Sequence, residues 1–306
     1  MRTEFQYDSR GAGKIQAYQW MPETEPTAVI QIVHGITDHA ERYDQFARYL
    51  NRKGYLVVAQ DHMGHGKTAL LGSTKGYFDG GWDAAVEDVC QLTRIIREQH
   101  PGLPYILLGQ SMGSFLVRTV LYRHPDIGIS GAVLCGTCWM PEGLLRSGRL
   151  MADAVCLMNG ERRPSPLLRK LMFGSYNRRV ERVRTGHDWL TRDTVVVDAY
   201  VADPMCNFAA SCGLVRDMLG GIAENQNMEN LAGMKRDLPV LFIAGGDDPV
   251  GNYGEGVRRA AEAFRTAGME NVEVKIYPLG RHEMLLEINR AEVFRHINIW
   301  IRELFL

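Results

Sequence analysis

A chain of 306 residues with 35 Lys+Arg against 36 Asp+Glu and a net charge of −1 has room for one large domain or two modest ones, and lacks the basic excess that steers a protein to nucleic acid. Its 45% hydrophobic and 23% charged residues exclude a disordered, fibrous or collagen-like protein. No run approaches about 18 uninterrupted apolar residues, and MRTEFQYDSR at the N-terminus is not a basic segment leading into an apolar one, so a soluble, cytoplasmic protein is expected.

In chain order, residues 4–7 and 14–20 alternate polar and apolar side chains around a Gly-rich turn at 10–13, which predicts an antiparallel hairpin at a sheet edge. Val29–Val33, Tyr55–Ala59, Tyr105–Leu108, Ile129–Leu134 and Val240–Ala244 are short, mostly apolar runs bounded by Gly, Pro or a charge. Such runs fit strands buried on both faces, and Val272–Ile276 alternates as one more strand. Helical periodicity falls between them at Glu41–Arg52, Asp83–Gln99, Phe115–Tyr122 and Gly256–Thr266. This alternation predicts an α/β fold, a mostly parallel twisted sheet with helices on both faces.

Between about Thr137 and Val215 the strands vanish. Leu144–Met158 and Leu167–Tyr176 read as amphipathic helices separated by Pro164 and Pro166. Eleven basic residues from Arg146 to Arg192 outnumber Glu142, Asp153, Glu161, Glu181 and Asp188, a net charge near +6 that leaves the rest of the chain near −7. Residues 1–136 and 216–306 are therefore expected to form the core, and 137–215 a helical cap over the sheet's C-terminal edge, where open α/β sheets bind ligands. The six cysteines are too few and scattered for a disulfide framework, and the close pair Cys135 and Cys138 has no second pair to complete a zinc set.

Gly109-Gln110-Ser111-Met112-Gly113 is a GxSxG sequence directly after one predicted strand and directly before a predicted helix. This is the context of a nucleophile elbow, whose sharp turn tolerates only Gly at the flanks. A serine hydroxyl needs a general base and an orienting carboxylate. Carboxylates stand in Gly245-Gly246-Asp247-Asp248-Pro249 past the strand 240–244, and His282 stands in the loop past 272–276, so serine, acid and histidine occur in that order at successive strand ends. Spacing alone leaves Asp247 and Asp248 both open, and the following Pro249 favours Asp248 by pinning it extended at the loop start. His100 and His124, each before a Pro, and His296 in the C-terminal helix read as surface or packing residues.

The loop His34-Gly35-Ile36-Thr37-Asp38-His39 follows the strand 29–33 and would supply the Ile36 amide to an oxyanion hole, with the Met112 amide as the second donor. His34, Asp38, His39, Asp61, His62 and His65 also offer donors resembling a zinc-hydrolase set, but the usual HxHxDH order needs a histidine where Ile36 stands, so no metal is expected. A nucleotide-binding oxidoreductase would need GxGxxG after the first parallel strand, where His34-Gly35-Ile36 stands instead. A catalytically silent binding protein would be expected to lose one of the three triad members, and all three are present.

HGITDHAERY (34–43), DHMGHGKT (61–68), GQSMGS (109–114), GGDDPVG (245–251) and YPLGRHE (277–283) together resemble the monoacylglycerol lipase and lysophospholipase branch of the α/β-hydrolases, often grouped as serine aminopeptidase S33. The resemblance spans about residues 13–300. It implies Ser111 as nucleophile, Asp248 as acid, His282 as base, the Ile36 and Met112 amides as oxyanion hole, the cap at 137–215, and an acyl-enzyme mechanism without a cofactor. The Leu- and Met-rich cap helices suit a small-molecule ester of a medium or long acyl chain. A thioester, amide or peptide substrate, or acyl transfer, fits the same machinery. The cap's charge further predicts transient contact with an anionic membrane surface.

Overall fold

A computed structural model describes residues 1–305. Eight strands, β1 (Arg2–Asp8), β2 (Lys14–Trp20), β3 (Ala28–Val33), β4 (Tyr55–Gln60), β5 (Tyr105–Gln110), β6 (Gly131–Cys135), β7 (Val240–Gly245) and β8 (Val272–Tyr277), form one sheet in the order β1-β2-β4-β3-β5-β6-β7-β8. The hairpin β1–β2 and the pair β2–β4 are antiparallel; every other pairing is parallel. Strands β3 to β7 are buried residue by residue because helices cover both faces. Strand β8, VEVKIY, is the edge strand beyond β7 and alternates partly buried and exposed positions, and so reads as period two in the sequence.

The helices are α1 (Asp44–Asn51), α2 (Gly81–Gln99), α3 (Met112–Arg123), α4 (Glu142–Asn159), α5 (Pro166–Phe173), α6 (Thr194–Ala202), α7 (Cys212–Glu224), α8 (Met228–Leu231), α9 (Glu255–Thr266) and α10 (Arg290–Glu303). Phe46 and Leu50 of α1 pack with Phe294, Ile297 and Trp300 of α10 on one face of the sheet. Helices α2, α3 and α9 cover the other, joined there by Leu214, Met218 and Ile222 of α7. Each fully buried aliphatic side chain contributes roughly 1.5–3 kcal/mol by leaving water.

The segment between β6 and β7 contains no ladder strand among the described residues; helices α4 to α6 rise from it over the C-terminal ends of the strands. Ser165 caps α5 by accepting from the Leu168 amide, with Pro166 at the first helical position; Asp193 and Ser211 cap α6 and α7 in the same way. Helix α7 runs through residue 215 and packs on α4 as well as on α2 and α3. Over 137–215 as a whole, Asp193, Asp198 and Asp203 raise the acids to eight against eleven basic residues.

Arg118 of α3 ties together the two ends of this segment. Its guanidinium is fully buried and donates to the Cys138 carbonyl (2.8 Å), the Thr137 hydroxyl (3.3 Å) and the Asn225 carbonyl (2.8 Å), just where the chain leaves the core and where it returns. No carboxylate among the described residues pairs with it, and burial lowers its pKa to about 10.

Candidate active site

Ser111 stands between β5 and α3 with φ 54° and ψ −121°, a left-handed conformation that costs a non-glycine residue strain. The turn is possible because its neighbours carry no Cβ. One on Gly113 would lie 1.9 Å from the Val33 carbonyl oxygen, and one on Gly109 would lie 2.5 Å from the Gly113 carbonyl oxygen. The Ser111 amide donates to the Cys135 carbonyl (2.9 Å), so the elbow is tied to β6. As the first residue of α3, Met112 has an amide with no partner in its own helix, and neither it nor the Ile36 amide donates to the protein among the described residues. Two free donors thus flank the serine, one at a helix N-terminus and one on the loop after β3.

Asp248 and His282 come from the loops after β7 and β8. Both Asp248 carboxylate oxygens lie 3.1 Å from His282 Nδ1, with both side chains buried. The Val250 amide donates to Asp248 Oδ1 (2.9 Å) and fixes the carboxylate's rotation. Asp247, the other acid in this loop, points to solvent. Asp203 pairs with His39 and Asp198 with Arg184, so neither serves His282. The Trp189 ring packs on His282 with centroids 5.1 Å apart, and at Gly136, φ 61°, a Cβ would lie 2.9 Å from His282 Cε1. Burial favours the neutral ring, but the charges of Asp248, Glu283 and Asp38 outweigh it and hold the His282 pKa above its ordinary value.

Ser111, His282 and Ile36 line one cavity of about 610 Å³, within the usual size range of small-molecule sites. No Ser111 Oγ–His282 hydrogen bond forms among the described residues; the two meet as neighbours on its wall, a geometry that commonly tightens when substrate binds. The remaining wall is mainly apolar, including Met140, Leu144, Met151, Leu168, Leu171 and Met172 from the cap side, with Met218, Leu219 and Ile222 of α7. Leu145, Leu150, Leu157, Met158 and Leu167 do not reach it. Leu145 is buried in the core, while Leu150, Leu157, Met158 and Leu167 lie exposed on the outside of α4 and α5.

The histidines and acids of the 34–39 and 61–65 loops have other partners. His34 Nε2 accepts from the His62 amide (3.0 Å) while its Nδ1 meets the Gly35 carbonyl (2.7 Å). Asp61 accepts from the Ala40 and Lys67 amides and from the Tyr18 hydroxyl. His39, Asp203 and Cys206 do approach one another closely enough to hold an ion, as do Glu87, Cys90 and His124. None of these six residues lines the serine cavity. The six cysteines are free and buried, with Cys138 pushed up to about 12 by burial, as expected of unreactive thiols.

Burial in a packed trio of tilted rings lowers the pKa of His34, of His62 to about 3 and of His65 to about 4. These rings are neutral when folded and take up protons when unfolded, so their contribution is complete above pH 6.5 and is lost as pH falls towards 4. At pH 5 His62 and His65 each cost on the order of 2 kcal/mol, and His34 acts in the same direction. Asp88, raised to about 6 by burial, opposes the trend, as do the buried Asp61 and the Asp217 carboxyl, which burial also raises, and His282, which Asp248 holds above its ordinary value; His187 and His296, lowered by burial, add to it. Denaturant unfolding between pH 7 and 4.5 should therefore show a steep loss of stability from pH 6.5 downward; a flat profile would contradict this picture of the trio.

Three neighbours of the site give no signal of a role in the sequence. Glu283 and Arg42 form a buried, two-pronged ion pair beside His282, and Tyr200 of α6 reaches from the cap to the Thr37 hydroxyl (2.7 Å). The first two lie inside quoted motifs, in Arg-Tyr after the 34–39 loop and in His-Glu at 282–283.

Comparison with known proteins adds three findings. The family model described as serine aminopeptidase, S33 matches residues 24–289. A monoacylglycerol lipase of Mycolicibacterium smegmatis is 29% identical over 306 residues, covering 98% of this chain and 97% of its own, and human monoglyceride lipase is 27% identical over 289 residues, covering 93% and 85%. Among solved structures, a thermostable carboxyl esterase from Bacillus coagulans in complex with glycerol superposes with a TM-score of 0.92 at 29% identity, covering 100% of this chain and 99% of that one.

Proposed function

The chain belongs to the serine aminopeptidase S33 family of α/β-hydrolases, and from that premise we propose that it hydrolyses carboxylic esters of medium or long acyl chains, with monoacylglycerols as the leading substrates. The observation that carries the reading is the buried Asp248–His282 pair on the wall of an apolar cavity that also holds Ser111 between two unpartnered amides.

His282 takes the Ser111 proton on Nε2 as Oγ attacks the ester carbonyl, while Asp248 on Nδ1 keeps the ring in the required tautomer and stabilises the imidazolium. The Ile36 and Met112 amides hydrogen-bond the tetrahedral oxyanion. As that intermediate collapses, the imidazolium protonates the departing alcohol, leaving an acyl-enzyme. Water then repeats the cycle, and the fatty acid departs. No cofactor enters any step. The acyl chain lies along Met151, Leu171 and Met172, where flexible side chains suit a range of lengths. Residues 137–215 act as the cap that closes this chamber. The M. smegmatis and human relatives are named for monoacylglycerol hydrolysis and the B. coagulans esterase was solved with glycerol, which supports a glycerol ester over an amide or thioester.

The outer face of the cap supports contact with a membrane surface from a cytoplasmic location. No described helix is long and apolar enough to cross a membrane. Leu150, Leu157, Met158 and Leu167 stand exposed beside Arg146, Arg149, Arg163 and Lys170, none of which forms an ion pair among the described residues, while Arg162, Arg184 and Arg192 are paired. Each basic residue near an anionic surface contributes on the order of 1 kcal/mol, and salt screens it.

A series of monoacylglycerols from acetyl to oleoyl, presented in neutral and in anionic vesicles at low and high salt, tests both parts. kcat/KM should rise with chain length up to the medium or long range, and should be higher on anionic vesicles with the advantage lost as salt rises. A preference for acetyl esters would overturn the substrate assignment; equal, salt-independent rates on the two vesicle types would overturn the membrane contact alone.

A further inference from the structure

We propose that Glu283 is a positioning residue for the hydrolysis, acting through Arg42 and Asp38 to hold the oxyanion segment in register with the catalytic histidine. This rests on the assignment of Ser111, His282 and the Ile36 amide made above.

The connection is continuous. Glu283 follows His282 directly, and its carboxylate grips Arg42 at both ends, Nη1 to Oε1 at 2.7 Å and Nη2 to Oε2 at 2.8 Å. The same Nη1 donates to Asp38 Oδ1 (2.9 Å). Asp38 Oδ2 then accepts from the Tyr43 hydroxyl (2.7 Å) and from the Gly35 amide (3.3 Å), one residue before the amide assigned to the oxyanion. A fork-to-fork Arg–carboxylate pair fixes orientation as well as distance. The loop bearing the base and the loop bearing the oxyanion donor are thereby set against each other by side chains that do not touch the reacting atoms.

Two features argue that the network serves geometry more than stability. Two buried carboxylates share one guanidinium, with Glu283 only 5% and Asp38 only 3% exposed and the Arg42 side chain 10% exposed. Such sets are often no more stabilising than apolar residues of the same shape. The segment they hold is also strained: Thr37, within it, has φ 53° and is kept there with the Tyr200 hydroxyl on its Oγ1. Released, a strained turn relaxes, and the Ile36 N–H moves off the position where the oxyanion forms.

The same charges act on His282. Facing its ring are Asp248 from the β7 loop, Glu283 from its own loop, Asp38 and Arg42 from the segment after β3, and Trp189 with the nearby His187 and Tyr200 from the cap. Of the groups that favour the protonated ring, Glu283 stands next after Asp248. Catalysis requires the neutral ring, so kcat/KM climbs with pH through the His282 pKa. Glu283→Gln removes a negative charge, lowers that pKa, and should shift the acid limb of the pH profile to lower pH.

The test is steady-state kinetics on one soluble ester for the wild type, Glu283→Gln and Arg42→Lys, with fluorophosphonate labelling of each, at a temperature where all three are folded. Glu283→Gln should lower kcat by about 10- to 100-fold, the loss expected when a donor is displaced by around 1 Å, with KM within about threefold and the acid limb displaced downward. Arg42→Lys keeps the charge without the fork. It should lose kcat in the same range with the acid limb in place, and it carries the test alone if Glu283→Gln fails to fold. Wild-type kcat in the variants, or a loss expressed in KM with an unmoved acid limb in both, overturns the positioning role. A wild type that fails to label at Ser111 overturns instead the assignment on which this inference rests.

Discussion

Ser111→Ala lowers kcat on any ester by about 10⁶-fold, the loss seen when the nucleophile of a serine hydrolase is removed. Nothing else in the site compensates, because His282 without an Oγ has no proton to accept. Residual turnover of about 10³–10⁴ over water remains, supplied by the two free amides and by binding in the cavity. The fold should be unaffected. Alanine meets the same strain as serine at φ 54°, the backbone bond from Ser111 to Cys135 is kept, and no side-chain hydrogen bond of the Ser111 hydroxyl is lost among the described residues. Denaturant unfolding of the variant should agree with the wild type to within about 0.5 kcal/mol. A variant that is inactive and also strongly destabilised would mean that the elbow depends on this side chain for structure.

Asp248→Asn lowers kcat by about 10⁴-fold, while Asp247→Asn changes it by no more than a few-fold. The two acids are adjacent in sequence but opposite in environment. Asp248 is fully buried with both oxygens on His282 Nδ1, and Asp247 is in water. An amide at 248 can turn its NH2 towards Nδ1, which then accepts and leaves the proton on Nε2, the tautomer that cannot serve as base. Parallel kinetics of the two variants decide the matter. Comparable mild losses would place the orienting carboxylate elsewhere, although the obvious substitutes, Asp203 and Asp198, are held by His39 and Arg184.

Much of the architecture was legible because period and composition coincide with burial. The strands predicted at 29–33, 55–59, 105–108, 129–134, 240–244 and 272–276 differ by no more than two residues at either end from β3 to β8. The cap was less legible. TVVVDAYVA is rich in β-branched residues and lacks helical amphipathicity, yet it forms α6 because Asp193 caps it and only Val197 and Tyr200 need burial. Helix α7 was lost from view because it carries three glycines, Gly213, Gly220 and Gly221, and is buried along more than one face. At the site, Ser111, Asp248 and His282 stood out through local punctuation: Gly on both sides of the serine and a strand before each. Glu283 and Arg42 had no such signal, since their pairing spans 241 residues of sequence and depends on how two loops meet. The cap's apolar residues showed a further limit. Sequence identified them as a group, but only packing separates Met151 and Leu171, which face the cavity, from Leu157 and Met158, which face out.

The proposed mechanism turns on a covalent intermediate between Ser111 and the acyl group of the substrate. Incubating the protein with a fluorophosphonate, digesting it and locating the adduct by mass spectrometry tests this most directly. A single adduct on Ser111 is expected, blocked by prior incubation with a long-chain monoacylglycerol analogue and absent from Ser111→Ala. Labelling of Ser111→Ala at the wild-type level, or an active wild type that takes no label and is silenced by a zinc chelator, would contradict it.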